Sequence, residues 1–504
     1  MRVHCRGVLA SRRSPSGATS AIERPHNSYQ RRTMKYPDSV KKLFKAFEDA
    51  GRDLYLVGGA VRDYELGEPV ENLDDWDFCT DSRPKETARI LRSNNFQVYE
   101  LGAEFGTVGA VLYGPDGEPI DVQITTYRSE EYYRRGSRHP IVEFGDTIEQ
   151  DLGRRDFSIN SMALDGNGDL VDPYDGKKDL QDGILRVIGD PLETLAEDPL
   201  RILRIGRFMS KLGFEPTADL RKAATERADG ILDISAERWL QEMTKLLKGP
   251  FVSQSLRFLH EIRILGIILP EVDSLIGFHT TSPVPHRDLF TETLQVLEQA
   301  PRAGRLRWAS LLCNIGKRWT RIVREDDTIA FPGHQKQAAM LAGEIARRFR
   351  FDNDTADEVR FLVRYHGRER QYEPQWSDAQ VRRYVRRADP YVDSMLAFAR
   401  ATVVDVTDTG QAHTLEQIDQ LEERIEALEE AGTLRPELPS GLGNGIMKTL
   451  GLKPSPMVGE VKDWLEEEII EDRLESGREP AYYVDYLKNS PPDFLSAALS
   501  DDEE

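Results

Sequence analysis

The chain has 504 residues, of which 39% are hydrophobic, and a formal net charge of −20. That length is enough for about three or four domains, and the apolar content excludes a wholly disordered protein. No apolar run reaches the roughly 18–20 residues that span a bilayer, so we expect no membrane association. The three cysteines, Cys5, Cys79 and Cys313, are too scattered for a disulfide framework or a zinc cluster, which favours a reducing, cytoplasmic location.

The acidic balance does not exclude a nucleic acid partner. Phosphate contact needs only a local basic surface, because salt screens exposed charges beyond roughly 8–10 Å. The sequence does concentrate arginines in one region, at positions Arg134, Arg135, Arg138, Arg154, Arg155, Arg201, Arg204 and Arg207. We therefore expect a basic site on an acidic protein.

Residues 1–33 are rich in arginine and serine, and Glu23 is their only acid. This composition suits a transit peptide, but it also suits a disordered extension or an over-long gene model in which Met34 is the start. We expect residues 1–33 to be a disordered extension rather than a transit peptide. Downstream, apolar residues at helical spacing predict helices over 36–51 and 84–94.

The most informative stretch lies between those two helices. An apolar strand enters Gly58-Gly59, and a second strand carries Asp75 and Asp77 two residues apart. Without a Cβ, the glycines let the backbone approach a triphosphate, and the N–H groups that begin the next helix point toward the anion. Alternation along a strand puts both carboxylates on one face, where their hard oxygens suit Mg²⁺. A glycine turn beside two solvated aspartates is the plainer alternative.

Three further strands are predicted over 97–101, 106–112 and 119–126. The last carries Asp121, which could serve as a third carboxylate or simply be an edge residue. From 128 to 151 the chain is polar, with almost no apolar period. This segment predicts a long mobile loop, and loops of that length inside a compact domain usually serve function.

Two charged motifs follow the loop. The first is Arg154-Arg155-Asp156-Phe157-Ser158-Ile159-Asn160, whose guanidinium groups can grip phosphate oxygens bidentately or merely form salt bridges at a helix start. The second is Glu197-Asp198-Pro199-Leu200-Arg201, the beginning of an amphipathic helix. Asp198 and Arg201 can project side by side, either as a structural ion pair or as an acceptor and a donor for a base edge.

In this order and spacing, the four motifs resemble the class II tRNA nucleotidyltransferase (CCA-adding enzyme) and poly(A) polymerase family. The match is strong over about 50–270 and loose beyond it. The resemblance implies an α+β fold, with a mixed β-sheet head of the nucleotidyltransferase type followed by an all-α neck, body and tail. It also implies that segment 128–151 is the full-length flexible element of enzymes that complete CCA.

The resemblance further implies the reaction and its site. We expect addition of CCA to the 3′ end of tRNA from CTP and ATP with Mg²⁺ as cofactor. Asp75 and Asp77 would hold the metal, with Asp121 as a further catalytic carboxylate. The nucleotide would meet Gly58, Gly59, Arg62, Arg155, Asp156, Asp198, Arg201 and Arg204. Poly(A) polymerase, a CC- or A-adding partial enzyme, and a catalytically dead RNA-binding scaffold remain as alternatives.

The second half reads as helical, and 273–410 resembles a degenerate His-Asp phosphohydrolase domain. His334, His366 and Asp405 stand at plausible ligand positions, with Glu292 upstream, but Cys313-Asn314 replaces the central His-Asp pair. We therefore expect an inactive scaffold rather than a phosphohydrolase. RNA contacts are expected at Arg134, Arg135, Arg382, Arg383 and Arg386, although a solvated helix face explains the last three as well.

The expected domains complete the sequence interpretation. They are a disordered extension at 1–33, the catalytic head at 34–190, the neck with the nucleotide-selecting motif at 191–272, the body at 273–410, a tRNA-binding tail at 411–489 and an acidic disordered end at 490–504. The oligomeric state is left open by the sequence.

Overall fold

The computed structural model describes residues 33–73, 75–99, 106–114, 117–133, 140–278, 288–326, 328–404, 408–435, 438–451, 453–471 and 473–495. Within these ranges a mixed sheet with helices is followed by an almost wholly helical remainder, so the expected α+β head and all-α continuation are confirmed. A search of the same ranges finds no helix with both the length and the apolar character to cross a bilayer.

The head is built on a seven-stranded sheet. Its strands are Leu54–Val57 (β1), Trp76–Thr80 (β2), Gln97–Tyr99 (β3), Thr107–Tyr113 (β4), Pro119–Thr126 (β5), Ala163–Leu164 (β8) and Leu170–Val171 (β9). They lie in the order β3-β4-β5-β2-β1-β8-β9, and only the β2–β5 pair is parallel. In β2 the apolar Trp76 and Phe78 are buried while Asp77 between them is exposed. The strand alternation read from the sequence therefore places Asp77 on the open face.

Five helices complete the head. They are Asp38–Asp49 (α1), Gly59–Glu65 (α2), Pro84–Ser93 (α3), Ile148–Gly153 (α4) and Gly176–Asp182 (α5). The first and third match the helices predicted over 36–51 and 84–94. In α1 the side chains of Val40, Leu43 and Phe47 are buried, so one apolar face closes the core.

The prediction of a loop over 128–151 is wrong for the described part of that segment. Strands Arg128–Tyr133 (β6) and Pro140–Phe144 (β7) pair antiparallel, and α4 begins at Ile148. The backbone ladder does not need the apolar alternation on which the loop prediction depended. Tyr132, Tyr133, Ile141, Val142 and Phe144 give the two runs the aromatic and β-branched content that favours strands.

The neck follows Ile184–Leu185 (β10), which pairs in parallel with Glu215–Pro216 (β11) from within the neck. Its helices are Pro191–Glu197 (α6), Leu200–Leu212 (α7), Ala218–Glu226 (α8), Ala236–Leu247 (α9), Val252–Glu261 (α10), Ile264–Ile268 (α11) and Pro270–Asp273 (α12). Helix α7 packs against α9 and α10, and its buried Phe208 ring meets the Phe157 ring of the head edge to face at 5.4 Å. Arg201 and Arg204 of α7 donate hydrogen bonds to the head, whereas Arg207 pairs with Glu242 of α9.

The body consists of Leu289–Gln299 (α13), Gly304–Leu312 (α14), Lys317–Thr320 (α15), His334–Phe349 (α16), Asn353–Tyr365 (α17), Asp378–Ala388 (α18) and Val392–Ala401 (α19). A hairpin of Ile322–Val323 (β12) and Ile329–Ala330 (β13) follows α15. The remaining helices are Asp408–Glu430 (α20), Leu442–Leu450 (α21), Pro456–Ile470 (α22) and Pro480–Asn489 (α23).

The apolar packing divides the C-terminal part at a different point from the expected boundary at 411. Ile418, Leu421 and Ile425 of α20 belong to the hydrophobic core that runs from head to body. A separate cluster unites α21 to α23 and includes Leu495. The tail therefore packs as a unit from about 438 to 495, and within the end expected to be disordered, Leu495 is buried.

Replacing Leu43 by Ala tests the predicted packing of α1. The side chain is fully buried, so its truncation should lower the free energy of unfolding by about 2–5 kcal/mol through lost burial and a residual cavity. Urea titration measures the change. The exposed neighbour Lys42→Ala should remain close to the unsubstituted protein, and equal effects of the two changes would contradict the placement of α1.

Candidate active site

Beside the open face of the head sheet, the chain makes the turn that the sequence predicts. Gly58 follows β1 with φ of +73°, a conformation that L side chains rarely adopt. A Cβ at this position would also lie 3.2 Å from the Nη1 atom of Arg155. Glycine thus allows the backbone and a guanidinium to approach one another at the end of β1, and Gly59 begins α2.

The two carboxylates of the Asp-x-Asp motif lie next to this turn. Asp77 pairs in register with Val57 of β1 and with Gln123 of β5, while Asp75 directly precedes β2. Both side chains are exposed. The surrounding protein and the charge of Asp75 raise the pKa of Asp77, and Arg155 opposes that rise. Two close carboxylates beside one cation form an anionic site with an affinity for a hard metal ion.

Asp121 shares the face of Asp77, because it lies two residues before Gln123 on β5. Its carboxylate accepts a hydrogen bond from the Tyr99 hydroxyl at 3.2 Å. The Tyr99 ring reaches it across Gly109, where any Cβ would collide with the ring. Among the described residues, which include all three aspartates, no group of three or more His, Cys, Asp or Glu is close enough to hold a metal. The role of Asp121 stays a prediction.

The donor set nonetheless fits magnesium. This ion is commonly held by one or two carboxylates together with substrate phosphates and water, rather than by a complete protein cage. Asp75 and Asp77 provide those two carboxylates on an exposed face. A triphosphate at the Gly58 turn would be able to supply the remaining oxygens.

Asp151 fixes both arginines of the first charged motif, and the sequence interpretation missed it. It is completely buried at the end of α4 and forms ion pairs of 2.9 Å with Arg154 and with Arg155. Burial alone would raise the pKa of Asp151, but the two guanidinium groups outweigh it and hold that pKa below its ordinary value. An acid three and four residues before two arginines is the signal that was available.

Asp156 joins the head to the neck. Arg204 of α7 donates from Nε and Nη2 to its Oδ2 atom, with an Nε–Oδ2 distance of 2.8 Å. Asn160 donates to the other oxygen at 2.9 Å, and Arg62 in turn donates to Asn160 at 2.7 Å. Although burial would raise the pKa of Asp156, the charge of Arg204 and these hydrogen bonds hold it below its ordinary value. Arg62, Asn160, Asp156 and Arg204 thus form one continuous polar chain.

Arg62 lies inside the protein rather than open to a ligand. Its residue is only 5% exposed, and besides Asn160 it donates to Asp63 at 2.8 and 2.9 Å. Its guanidinium also lies over the Phe208 ring of the neck. Through these contacts Arg62 holds Asn160 and the neck in place. Its predicted contact with nucleotide stays a prediction.

The second charged motif lies at the same junction. Asp198 accepts a hydrogen bond from the Leu200 backbone and lies 3.8 Å from Arg238 of α9. Arg201 donates to the carbonyl oxygen of Arg154 at 2.8 Å. Asp198 and Arg201, which were predicted to read a nucleotide, therefore lie at the same junction, and each contacts a different partner.

Lys245 is a second residue that the sequence interpretation missed. It lies on α9, where burial and the charge of Arg207 lower its pKa while Glu242 and Asp75 act in the opposite direction. The charge of Asp75 in the head thus acts on this neck cation. No local motif marks Lys245, because its position depends on how α9 packs on α7.

The family model described as "Poly A polymerase head domain" matches residues 54–186. The model described as "Probable RNA and SrmB- binding site of polymerase A" matches 213–276. The multifunctional CCA protein of Pseudomonas paraeruginosa is 33% identical over 324 residues, covering 62% of this chain and 74% of that protein. The chain belongs to the CCA-adding enzyme and poly(A) polymerase family.

Other members of this family match over shorter segments. The CCA-adding enzyme of Anoxybacillus flavithermus is 35% identical over 239 residues, which cover 47% of this chain and 57% of that protein. That of Geobacillus thermodenitrificans is 37% identical over 211 residues, covering 42% and 49% respectively. The chain thus spans about half the length of these two relatives.

Two solved structures share the fold. The CCA-adding enzyme of Bacillus stearothermophilus in complex with CTP aligns with a TM-score of 0.59 at 23% identity, covering 90% of this chain and 98% of that one. A tRNA nucleotidyltransferase complexed with a primer tRNA and an incoming ATP analog gives 0.52 at 21% identity, covering 77% and 99%. These likenesses establish the fold.

The five arginines predicted to contact RNA lie in the head and in the body. Arg134 and Arg135 lie outside the described residues. Arg382 donates to the Thr433 carbonyl at 2.9 Å. Arg383 and Arg386 form ion pairs with acids of α22 and its end, among them Glu466, Glu467 and Glu471. These ion pairs join body to tail, and the expected contact of Arg383 and Arg386 with RNA stays a prediction.

The residues that resemble a degenerate phosphohydrolase site form two separate contacts. Lys317 forms a 2.6 Å ion pair with Glu292. The His334 and His366 rings meet edge to face at 5.6 Å. Burial, together with the charge of His334, lowers the pKa of His366 to about 3. Asp405 lies outside the described residues. The ammonium group of Lys317 therefore pairs with Glu292, the carboxylate expected at the upstream ligand position.

Asp156→Asn tests the junction between head and neck. The amide cannot compensate the charge of Arg204, so we expect the free energy of unfolding at pH 7 to fall by about 1.5–3 kcal/mol. Because the folded pKa of Asp156 lies below its unfolded value of about 3.9, this contribution is present above that value and is lost as pH falls through the folded pKa.

Urea titrations between pH 3 and pH 7 measure this effect. The difference between Asp156→Asn and the unsubstituted protein should shrink at the acidic end of that range. The exposed Asp49 on α1 gives the matched control Asp49→Asn. A deficit that stays constant across the whole pH range would contradict the ion pair.

Proposed function

We propose that this protein adds C, C and A to the 3′ end of tRNA, using CTP and ATP and releasing pyrophosphate. The observation that carries the proposal is the position of Asp75 and Asp77 beside the Gly58 turn and Arg155. The relatives named CCA-adding enzymes, and the related fold that binds CTP, support the choice of substrates.

Each group of the site has a role in this reaction. The 3′ oxygen of the tRNA forms a bond to the α-phosphorus of the nucleotide, the bond from that phosphorus to the β-phosphate oxygen breaks, and the hydroxyl proton passes to water. Asp75 and Asp77 would hold Mg²⁺, which supplies charge stabilisation for the attacking and leaving oxygens when bound. Arg155 would neutralise triphosphate oxygens, and Asp151 keeps its guanidinium oriented.

Selection of the base is assigned to Asp198 and Arg201. Cytosine and adenine each offer an exocyclic amine and a ring-nitrogen acceptor on one edge, whereas uracil and guanine do not. A carboxylate beside a guanidinium complements that edge. Arg201 donates from Nη2 to the Arg154 carbonyl. Its other N–H groups would donate to the base, because a guanidinium carries five such donors.

Poly(A) polymerase is the second candidate, because the model matching the head is described by that activity. One experiment separates the candidates. Each of the four nucleotides is supplied with Mg²⁺ to tRNA transcripts that end before CCA or after CC, and to an unstructured RNA. The proposal predicts ordered addition of C, C and A that then stops. Arrest after CC or addition of A alone would indicate a partial enzyme. Open-ended A tails would indicate a poly(A) polymerase, and no incorporation would indicate a catalytically dead scaffold.

Asp77→Asn should reduce incorporation by at least about 100-fold, the scale of losing one electrostatic contact to a transition state. The amide has nearly the same shape as the carboxylate, so the fold and tRNA binding should survive. Single-turnover incorporation and a tRNA filter-binding titration measure the two properties. Asp49→Asn serves as the control, and normal turnover of Asp77→Asn would remove Asp77 from the mechanism.

Arg201→Ala should weaken the choice of nucleotide more than the rate of transfer. Without the guanidinium donor, we expect discrimination of CTP against UTP in kcat/KM to fall by about tenfold or more. The comparison variant is Arg227→Ala, on a neck arginine outside the site. If Arg201→Ala retains full discrimination, a residue other than Arg201 reads the base.

A further inference from the structure

A pocket of about 400 Å³ opens in the body, between α17, α18, α19 and the 3₁₀ turn Glu369–Gln371. This volume lies within the roughly 300–1,000 Å³ of small-molecule sites. The residues that line it lie between 361 and 395. It is therefore separate from the residues of the head and neck described above.

Aromatic rings supply much of the lining. They belong to Phe361, Tyr365, Trp376 and Tyr384. The Phe361 ring lies 4.7 Å from that of Tyr365, with the planes tilted by 53°. All four side chains are buried or half-buried, so their orientations are held by packing. Rings fixed in this way offer faces on which a planar base can stack.

The pocket is basic although the protein is acidic. Arg368, Arg383 and Arg387 line it, whereas no aspartate or glutamate is among its lining residues. Arg383 is committed to Glu467 and Glu471 of the tail. Arg368 and Arg387 are exposed, and the guanidinium of Arg368 lies 4.4 Å from the centre of the Tyr365 ring. Two cations at an aromatic surface can bind phosphate while the ring holds a base.

The polar support of the pocket wall is built from buried groups. The Tyr384 hydroxyl donates to Oε1 of Glu369 at 3.1 Å, and Glu369 is completely buried. Gln380 also lines the pocket, and its side-chain oxygen accepts the Ser377 N–H at 2.8 Å in the capping box of α18. These bonds fix the first turn of α18 and the Tyr384 ring before any ligand arrives, which reduces the entropic cost of binding.

We propose that this pocket binds a nucleotide, with its base against Tyr365 and its phosphate at Arg368 and Arg387. The ligand has one chemistry, a planar base carrying a phosphate, and two sources, a free nucleotide or one nucleotide of a single-stranded RNA. The inference does not depend on the proposed transfer reaction, because it uses no residue of the head or neck.

Photo-crosslinking to the full chain tests the site directly. The probes are 4-thiouridine 5′-monophosphate, 8-azidoadenosine 5′-monophosphate and a short single-stranded RNA that contains one 4-thiouridine. Peptide mass spectrometry then locates the adducts. We expect adducts in peptides from 361–395. Labelling by the monophosphates identifies a free nucleotide as the ligand, and labelling by the RNA alone identifies an RNA nucleotide. Adducts confined to other parts of the chain would overturn the proposal.

Variants separate binding from folding. Tyr365→Leu removes the ring and should reduce labelling of the pocket at least about fivefold, whereas Tyr365→Phe should retain it, since stacking needs only the ring. Arg387→Glu should cause a similar loss. Arg347→Glu, an equal change of charge at an exposed position of α16 outside the pocket, should leave labelling intact. Unchanged labelling of both Tyr365→Leu and Arg387→Glu would overturn the site.

Incorporation of CTP and ATP provides an independent readout. The pocket variants should add nucleotides to a minimal acceptor-stem RNA at the unsubstituted rate, because Asp75, Asp77 and Arg155 are unaltered. Failure of nucleotide transfer in the unsubstituted protein would concern the proposed function alone. Failure of pocket labelling would concern only this inference.

Discussion

The half-buried ion pair of Asp156 and Arg204 is the contact on which the arrangement of the site depends. Asp156 belongs to the head and Arg204 to the neck, and nearly all hydrogen-bonding positions of the carboxylate are used by Arg204, Asn160 and the Phe157 backbone. A buried charge that loses its partner is costly, so the pair strongly favours one position of α7 against the head. The same helix carries Arg201 to the Arg154 carbonyl. The orientation of the neck and the position of the selecting residues are thereby coupled.

Asp151 compensates the charges of two adjacent arginines. Arg154 and Arg155 are adjacent, and two like charges at the edge of a head would repel one another without an anion between them. The buried carboxylate pairs with both and aligns them. Arg155 then interacts with both this acid and Asp77, an exposed carboxylate whose pKa is raised by the surrounding protein and by the neighbouring Asp75. A protein with a net charge of −20 thus holds two adjacent arginines at its site, because a buried carboxylate pairs with both of them.

Local patterns predicted the parts of the site that depend on strand alternation and on glycine geometry. Asp77 faces outward from β2, as the alternation indicated, and Gly58 makes the predicted turn at the end of β1, with a positive φ. Asp151 was missed although its contacts with Arg154 and Arg155 are local in sequence, whereas the charges that act on Lys245 come mainly from other elements. The segment 128–151 was predicted as a loop because it lacks an apolar face, although its backbone pairs as β6 and β7. Likewise, the run Arg382–Arg387 reads as a free basic face until α22 supplies its acids.

A double-mutant cycle between Asp156 and Arg204 tests the central claim most directly. The readout is kcat/KM for CTP incorporation into tRNA that ends before CCA, for Asp156→Asn, Arg204→Gln and the pair combined. If the ion pair acts as one unit that positions the neck, the double variant should be no worse than either single variant within about twofold, a coupling of at least about 1 kcal/mol. Losses that multiply would show that the two residues act independently, and would contradict the account.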